Sequence, residues 1–419
     1  MKLKPGWRHV KLSDIAKIKS GSTPLRAEGE RYFSTAGTPW VKTLDLNNGE
    51  IISTDEKITD TALLETSCSV FPVGTVLVAM YGGFNQIGRT GLLTIPAAIN
   101  QALSGLILDR DKAEPAYILN YLNGNVKLWK KFAASSRKDP NITRDDVCGF
   151  PVLLPPLAEQ KKIAEILSTW DKAISVTEKC LTNSKRQKKA LMQQLLTGKK
   201  RLLDENGVRF SGEWEYTIFG NLGDTYTGLT GKTKEDFGAG KPYIPYINIF
   251  KNSRIDIQNL EYVQVNDDER QSVVKYGDIF FTTSSETPEE VGMSSVLLEE
   301  VSEVFLNSFC FGFRLNNFET LIPKYARYLF RSEHVRRQIS TLGQGATRYN
   351  LSKRQLIKLE LKLPCVEEQQ KIAAVLSAAD AEISTLEKKL ACLKDEKKAL
   401  MQQLLTGKRR VKVDEAVAV

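Results

Sequence analysis

Six short segments collect the side chains that hydrogen-bond most readily. The first half of the chain carries "KSGSTPLR" (19–26), "MYGGFNQIGRTG" (80–91) and "SSRKDPNITR" (135–144). The second half carries "YTGLTGKTK" (226–234), "TTSSETPEE" (282–290) and "GQGATRYNLSKR" (343–354). Glycine lets a backbone approach a ligand closely. Arg, Lys, Asn, Gln, Ser and Thr supply the donors and acceptors that read base edges or grip phosphates. The candidate nucleic-acid contacts of the first half are Ser20, Ser22, Thr23, Lys42, Tyr81, Asn85, Gln86, Arg89, Arg137, Lys138, Asn141 and Arg144. Those of the second half are Thr227, Thr230, Lys232, Lys234, Asn248, Thr283, Ser284, Ser285, Gln344, Thr347, Arg348, Tyr349, Asn350 and Lys353. Alone, such a segment is more often an ordinary surface turn. Found at matching places in two halves whose other residues differ, they look like readers of two different texts on one frame.

Covalent chemistry has little to work with. His9 and His334 are the only histidines, which argues against a His-based triad or a His-rich metal site. The six cysteines, Cys68, Cys148, Cys180, Cys310, Cys365 and Cys392, contain no C-x-x-C pair, so zinc ligation is not expected and reduced thiols are. "TGLTGKT" (227–233) holds Gly-Lys-Thr, but Tyr226 stands where a phosphate-cradling loop needs its first glycine. The carboxylates Glu286, Glu289 and Glu290 lack the basic and metal-binding company of a nuclease centre. No catalytic residue, metal site or cofactor of the chain's own is expected. "MKLKPGWRHVKL" has no apolar signal core, and no apolar run approaches the roughly 18 residues of a membrane span. A cytoplasmic protein is the expectation.

These segments need elements to hold them, and the chain supplies two sets. At 419 residues it exceeds one ordinary core; 42% apolar and 26% charged residues mark a folded protein, and a net charge of +9 hints at a polyanionic partner. Residues 155–199 align without a gap on residues 364–408, with 27 of 45 positions identical and "KKALMQQLLTGK" repeated letter for letter. Fainter echoes extend the duplication: "PVGTVLVAM" (72–80) with "KYGDIFFTT" (275–283), and "INQALSGLIL" (99–108) with "LNSFCFGFRL" (306–315). A period near 209 means two tandem domains, not a solenoid.

Each constant block starts after a proline, Pro156 or Pro364, stops at a glycine, Gly198 or Gly407, and contains neither residue between. That is the punctuation of one long helix, about 60 Å for 40 residues. A heptad seam runs through Ile372, Leu376, Ile383, Leu386, Leu390, Leu393, Leu400 and Leu404. Its counterpart is Ile163, Leu167, Trp170, Ile174, Leu181, Leu191 and Leu195, with Trp170 read as seam core. Two homologous helices pairing as equals run antiparallel about a two-fold axis; the alternative is that each packs on its own domain. The blocks 155–202 and 364–411 carry +7 and +2, the whole net charge. This is either a solvated face or a surface for phosphates or a partner protein.

The fold expected is α+β: two mixed globular domains separated by two long helices that form an intramolecular antiparallel coiled coil with pseudo-two-fold symmetry. The first globular domain spans 1–153, the first helix 154–202, the second domain 203–362, the second helix 363–411 and a tail 412–419.

The order domain, helix, domain, helix, with "LPPLAEQKKIAEILSTWD" (154–171), "LPCVEEQQKIAAVLSAAD" (363–380), the two "LMQQLLTGK" runs and "GWRHVKLSDIAKIKSGSTP" (6–24), resembles the specificity (S) subunit of type I restriction–modification enzymes. The resemblance covers essentially the whole chain. It implies a non-catalytic subunit whose two domains each read half of a split, asymmetric site in double-stranded DNA. The helices would set the spacing and dock two methylation (M) subunits, with two restriction (R) subunits beyond them. S-adenosylmethionine, ATP and Mg would belong to those partners. Cys365 replaces the second proline, and "DEKK" (395–398) is more acidic than "SKRQKK" (184–189) of the first copy. The competing readings are a stand-alone duplicated DNA-binding regulator and a coiled-coil adaptor protein.

Overall fold

A computed structural model describes residues 4–83, 85–134, 141–345 and 347–413. The chain forms two compact units, residues 1–178 with 388–419 and residues 179–387. The long helices span Leu157–Leu195 and Val366–Leu404, so each starts in one unit and ends in the other.

The first unit is built on a five-stranded sheet in the order Ala16–Ser20, Leu103–Leu108, Val76–Ala79, Thr90–Leu93, Glu50–Ile51, antiparallel except for the last pair. The central strand, VLVA, is buried at all four positions. Alternate side chains of a strand point to opposite faces. Val76 and Val78 accordingly join Tyr117, Ile118 and the long-helix residues Ile163 and Leu167, while Leu77 and Ala79 join Val41, Phe71 and Ile99. A smaller sheet, Phe33–Ser34, Glu56–Ile58, Thr38–Val41 and Ala98–Ile99, completes the globular part. Arg8–Lys11 pairs with Pro151–Leu154, tying its start to its end just before the helix.

The second unit repeats this plan. Its sheet runs Gly223–Thr227, Cys310–Leu315, Ile279–Thr282, Ser294–Val296. Ile279 and Phe281 face the cluster holding Ile372 and Leu376; Phe280 faces the other way, toward Ile244 and Leu306. A three-stranded sheet, Glu261–Val263, Phe237–Ile244 and Phe305–Leu306, takes the smaller sheet's place, and Glu215–Ile218 closes on Glu360–Leu363. The mixed α+β class is as expected.

The helix punctuation works as its chemistry suggests, with Gly198 and Gly407 just past the helix ends in left-handed conformation, φ +69° and +66°. The pairing is antiparallel within each unit. In the first, Lys397 binds Asp171 at 2.5 Å and Lys394 binds Glu178 at 2.7 Å. In the second, Lys188 binds Asp380 at 2.5 Å and Lys185 binds Glu387 at 2.7 Å, the same two pairs 209 residues on with the helices exchanged. Thr177 and Ser184, which fall on the first helix's stripe between Ile174 and Leu191, are satisfied as well: Thr177 donates to the Ala173 carbonyl, and Ser184 to Glu382 at 2.8 Å.

The seam is not uniform, which corrects the single stripe expected. Ile163 and Leu167 are core of the first globular part and Ile372 and Leu376 of the second. Leu404 completes the first unit's core and Leu195 the second's. Trp170, Ile174, Leu181, Leu191, Ile383, Leu386, Leu390, Leu393 and Leu400 are half-buried, as a two-helix seam leaves them.

A buried carboxylate anchors each unit. Glu159 accepts from Trp7 Nε1 at 3.2 Å and from Arg410 Nε at 2.9 Å. Glu368 accepts from Trp214 Nε1 at 3.3 Å and from Arg201 at 2.6 and 2.7 Å. In both units the arginine follows the end of one long helix and the glutamate starts the other. The neighbouring Gln160 and Gln369 are buried and each takes one backbone amide and gives to two carbonyls.

Candidate nucleic-acid interface

Strand register gathers the polar segments at one end of each main sheet. In the first unit Ser20 lies opposite Ser104, and Leu103 opposite Ala79, so the segments after Ser20 and Ala79 leave from the same edge. The Ile142 amide donates to the Met80 carbonyl at 3.0 Å and brings residues 141–144 of the third segment there. In the second unit Thr227 and Phe281 both lie opposite Phe311, and Thr282 opposite Cys310. The Leu351 amide donates to Thr283 at 2.8 Å, the equivalent of the Ile142 bond, and Ser284–Ser285 pairs with Tyr349–Asn350.

Two glycines make this convergence possible. A Cβ at Gly21 would sit 2.2 Å from the carbonyl oxygens of Ile99 and Asn100, and one at Gly228 2.0 Å from that of Asn307. With no side chain there, the next amides close short bonds, Ser22 to Ile99 at 2.9 Å and Leu229 to Leu306 at 2.7 Å.

Of the residues singled out from sequence, Ser20, Tyr81 and Asn85 are exposed at the first reading end, with Ser22, Thr23, Gln86, Arg89 and Asn141 half-buried among them. At the second, Thr227, Thr230, Lys234, Gln344, Thr347, Arg348 and Asn350 are exposed, and Thr283 and Tyr349 half-buried. Lys353 lies 5.8 Å from the Phe311 ring centroid, and burial lowers its pKa. Arg137 and Lys138 lie outside the described residues.

Several candidates are spent on the fold. Lys42 binds Glu56 at 2.6 Å. Arg144 is exposed but ties one guanidinium N–H to the Ile18 carbonyl at 3.0 Å. Lys232, with only 5% of its side chain exposed, is paired with Glu269, and that contact with the Asn266 amide holds the Glu269 carboxyl down to about 2. Asn248 is buried, giving its amide protons to the carbonyls of Asp256 and Asn259 at 2.9 Å. Ser284 and Ser285 are buried in their strand.

Sequence reading missed the residues that stiffen the second end. Arg336 donates to the carbonyls of Glu289, Val291 and Gly292, clamping the segment that carries the polar 282–290 run. Arg331 donates to Ile249, Phe250, Asn252 and Ser294. Burial lowers both guanidinium pKa values to about 10. Backbone carbonyls are their partners, so no side-chain pattern announces them. Among the described residues no group of His, Cys, Asp and Glu could hold a metal ion, and no helix is long and apolar enough to cross a membrane.

Two equivalent sheets, each presenting three diverged polar segments at one end, define a duplicated recognition scaffold. Residues 4–183 and 212–394 match the family described as Type I restriction modification DNA specificity domain, and the chain belongs to that family. The MjaVIII specificity subunit of Methanocaldococcus jannaschii is 24% identical over 97% of this chain and 93% of its own length. The EcoKI specificity subunit of Escherichia coli is 22% identical over 93% and 85%. The crystal structure of a type I S subunit from M. genitalium shares the fold, with a TM-score of 0.58 at 15% identity over 96% of this chain and 98% of that one.

Proposed function

We propose that this chain is the non-catalytic DNA-reading subunit of a type I restriction–modification complex, each reading end taking one half of a two-part, asymmetric site. The observation that carries this reading is that equivalent backbone hydrogen bonds build both ends while different side chains fill them. Duplex DNA has an approximate dyad in its backbone, so equal frames meet equivalent phosphates and unlike side chains read unlike bases. The long helices set the gap between the half-sites and dock two methylation subunits. Two restriction subunits join these, and S-adenosylmethionine, ATP and Mg serve the partners. The complex works in the cytoplasm.

Single-molecule methylation mapping of DNA from cells carrying the chain with its methylation partner tests this, and a bipartite methyladenine motif is the expected result. Tight sequence-specific binding by the isolated chain, with no methyltransferase copurifying, would indicate a stand-alone regulator. No DNA binding with every partner present would indicate an adaptor.

A further inference from the structure

Phe309 is an aromatic residue on the turn at the second reading end, and 61% of it is exposed. Its backbone is fixed at three points. The amide donates to Asn307 Oδ1 at 2.8 Å, and the carbonyl accepts from the Thr283 amide at 3.0 Å and the Thr283 hydroxyl at 2.7 Å. Thr283 is also the residue that draws in the 343–353 segment through Leu351, while Leu229 bonds the same turn at Leu306. The turn bearing Phe309 is therefore where the three segments meet. A lone apolar side chain on a surface needs no explanation. One whose backbone is pinned at the centre of a polar reading surface calls for an apolar partner. The first unit has the same turn, with the Ala102 carbonyl accepting from the Met80 amide at 2.8 Å, and there a half-buried methyl takes the ring's place.

We propose that Phe309 is a specificity-determining contact of the second unit, packing its ring on an apolar surface of a DNA base, either the C5-methyl of thymine or the face of a base at an opened step. This assignment rests on the DNA-reading function above. The test uses the full chain in complex with its methylation partner and a duplex carrying the mapped site. Phe309→Ala lowers affinity about tenfold, within what an aromatic contact to one base contributes. Preference relaxes at one position of one half-site, and the other half-site and the unfolding midpoint stay unchanged. Uracil substituted for each thymine in turn weakens wild type but not Phe309→Ala if the methyl is read. 2-Aminopurine brightening on wild type alone marks an opened step, and Phe309→Leu then fails where it would have sufficed for a methyl. The assignment is overturned if wild type reads a two-part site and Phe309→Ala leaves affinity and both half-sites intact, or loosens both halves alike. A wild-type complex that reads no two-part site sinks the functional reading and this assignment with it.

Discussion

The helix-end anchors and the reading ends are the two regions that show how duplication was used. Glu159 with Trp7 and Arg410, and Glu368 with Trp214 and Arg201, are the same three residue types in the same contacts, and Gln160 and Gln369 match bond for bond. The reading ends keep the Gly21 and Gly228 positions and the equivalent backbone bonds but differ in side chains, with Phe309 where the first end has Ala102. Where the chain must fit itself, a buried charge tolerates one solution, because an unpaired partner is heavily penalised. Where it meets another molecule, only the backbone frame is constrained.

Removing an anchor breaks that comparison most severely. Glu368→Ala leaves the Arg201 guanidinium and the Trp214 N–H without their acceptor, and a destabilisation of about 3–5 kcal/mol is expected in denaturant unfolding. Glu159→Ala should cost less, because Arg410 is 39% exposed against 20% for Arg201. Equal small losses would show that the anchors do not hold the units. Arg336→Ala strands three carbonyls that were bonded to it and should cost about 1–3 kcal/mol. Mapping should then show the second reader's half-site relaxed and the first's intact; Arg336→Lys, lacking the planar fork, should not restore it.

The seam gives a smaller contrast. Asp380 holds Lys188 and also accepts from Arg327 and Tyr328 at 2.7 Å, whereas Asp171 is 52% exposed beside Lys397. Double-mutant cycles should return a coupling near 1 kcal/mol for Lys188–Asp380 and less for Lys397–Asp171. The smallest effect is one of pH. The Glu269 carboxyl sits at about 2, below its ordinary 4.5, so what its ionised form contributes is fully present above that ordinary value and is lost as pH falls toward 2. Acid titration of wild type against Glu269→Gln should differ only in that window.

Legibility followed the range of the interactions. The helices could be read because proline, glycine and the heptad act within a few residues, and the reading segments because glycine-rich polar runs are local. The partners that hold Lys42, Lys232 and Asn248 could not be read beforehand because Glu56, Glu269 and Asn259 lie 14, 37 and 11 residues away. Phe309 was passed over because a phenylalanine within "LNSFCFGFRL" reads as strand core, and only the turn turns it outward.

From its sequence alone the protein was bound to be two copies of one plan, with a long helix after each and diverged polar runs before it. Tertiary structure decided which core each part of a helix enters, where the buried arginines spend their donors and which candidates keep a free side chain. Repeats and caps are set by neighbours along the chain; partners for buried charge are set by where distant segments come to lie.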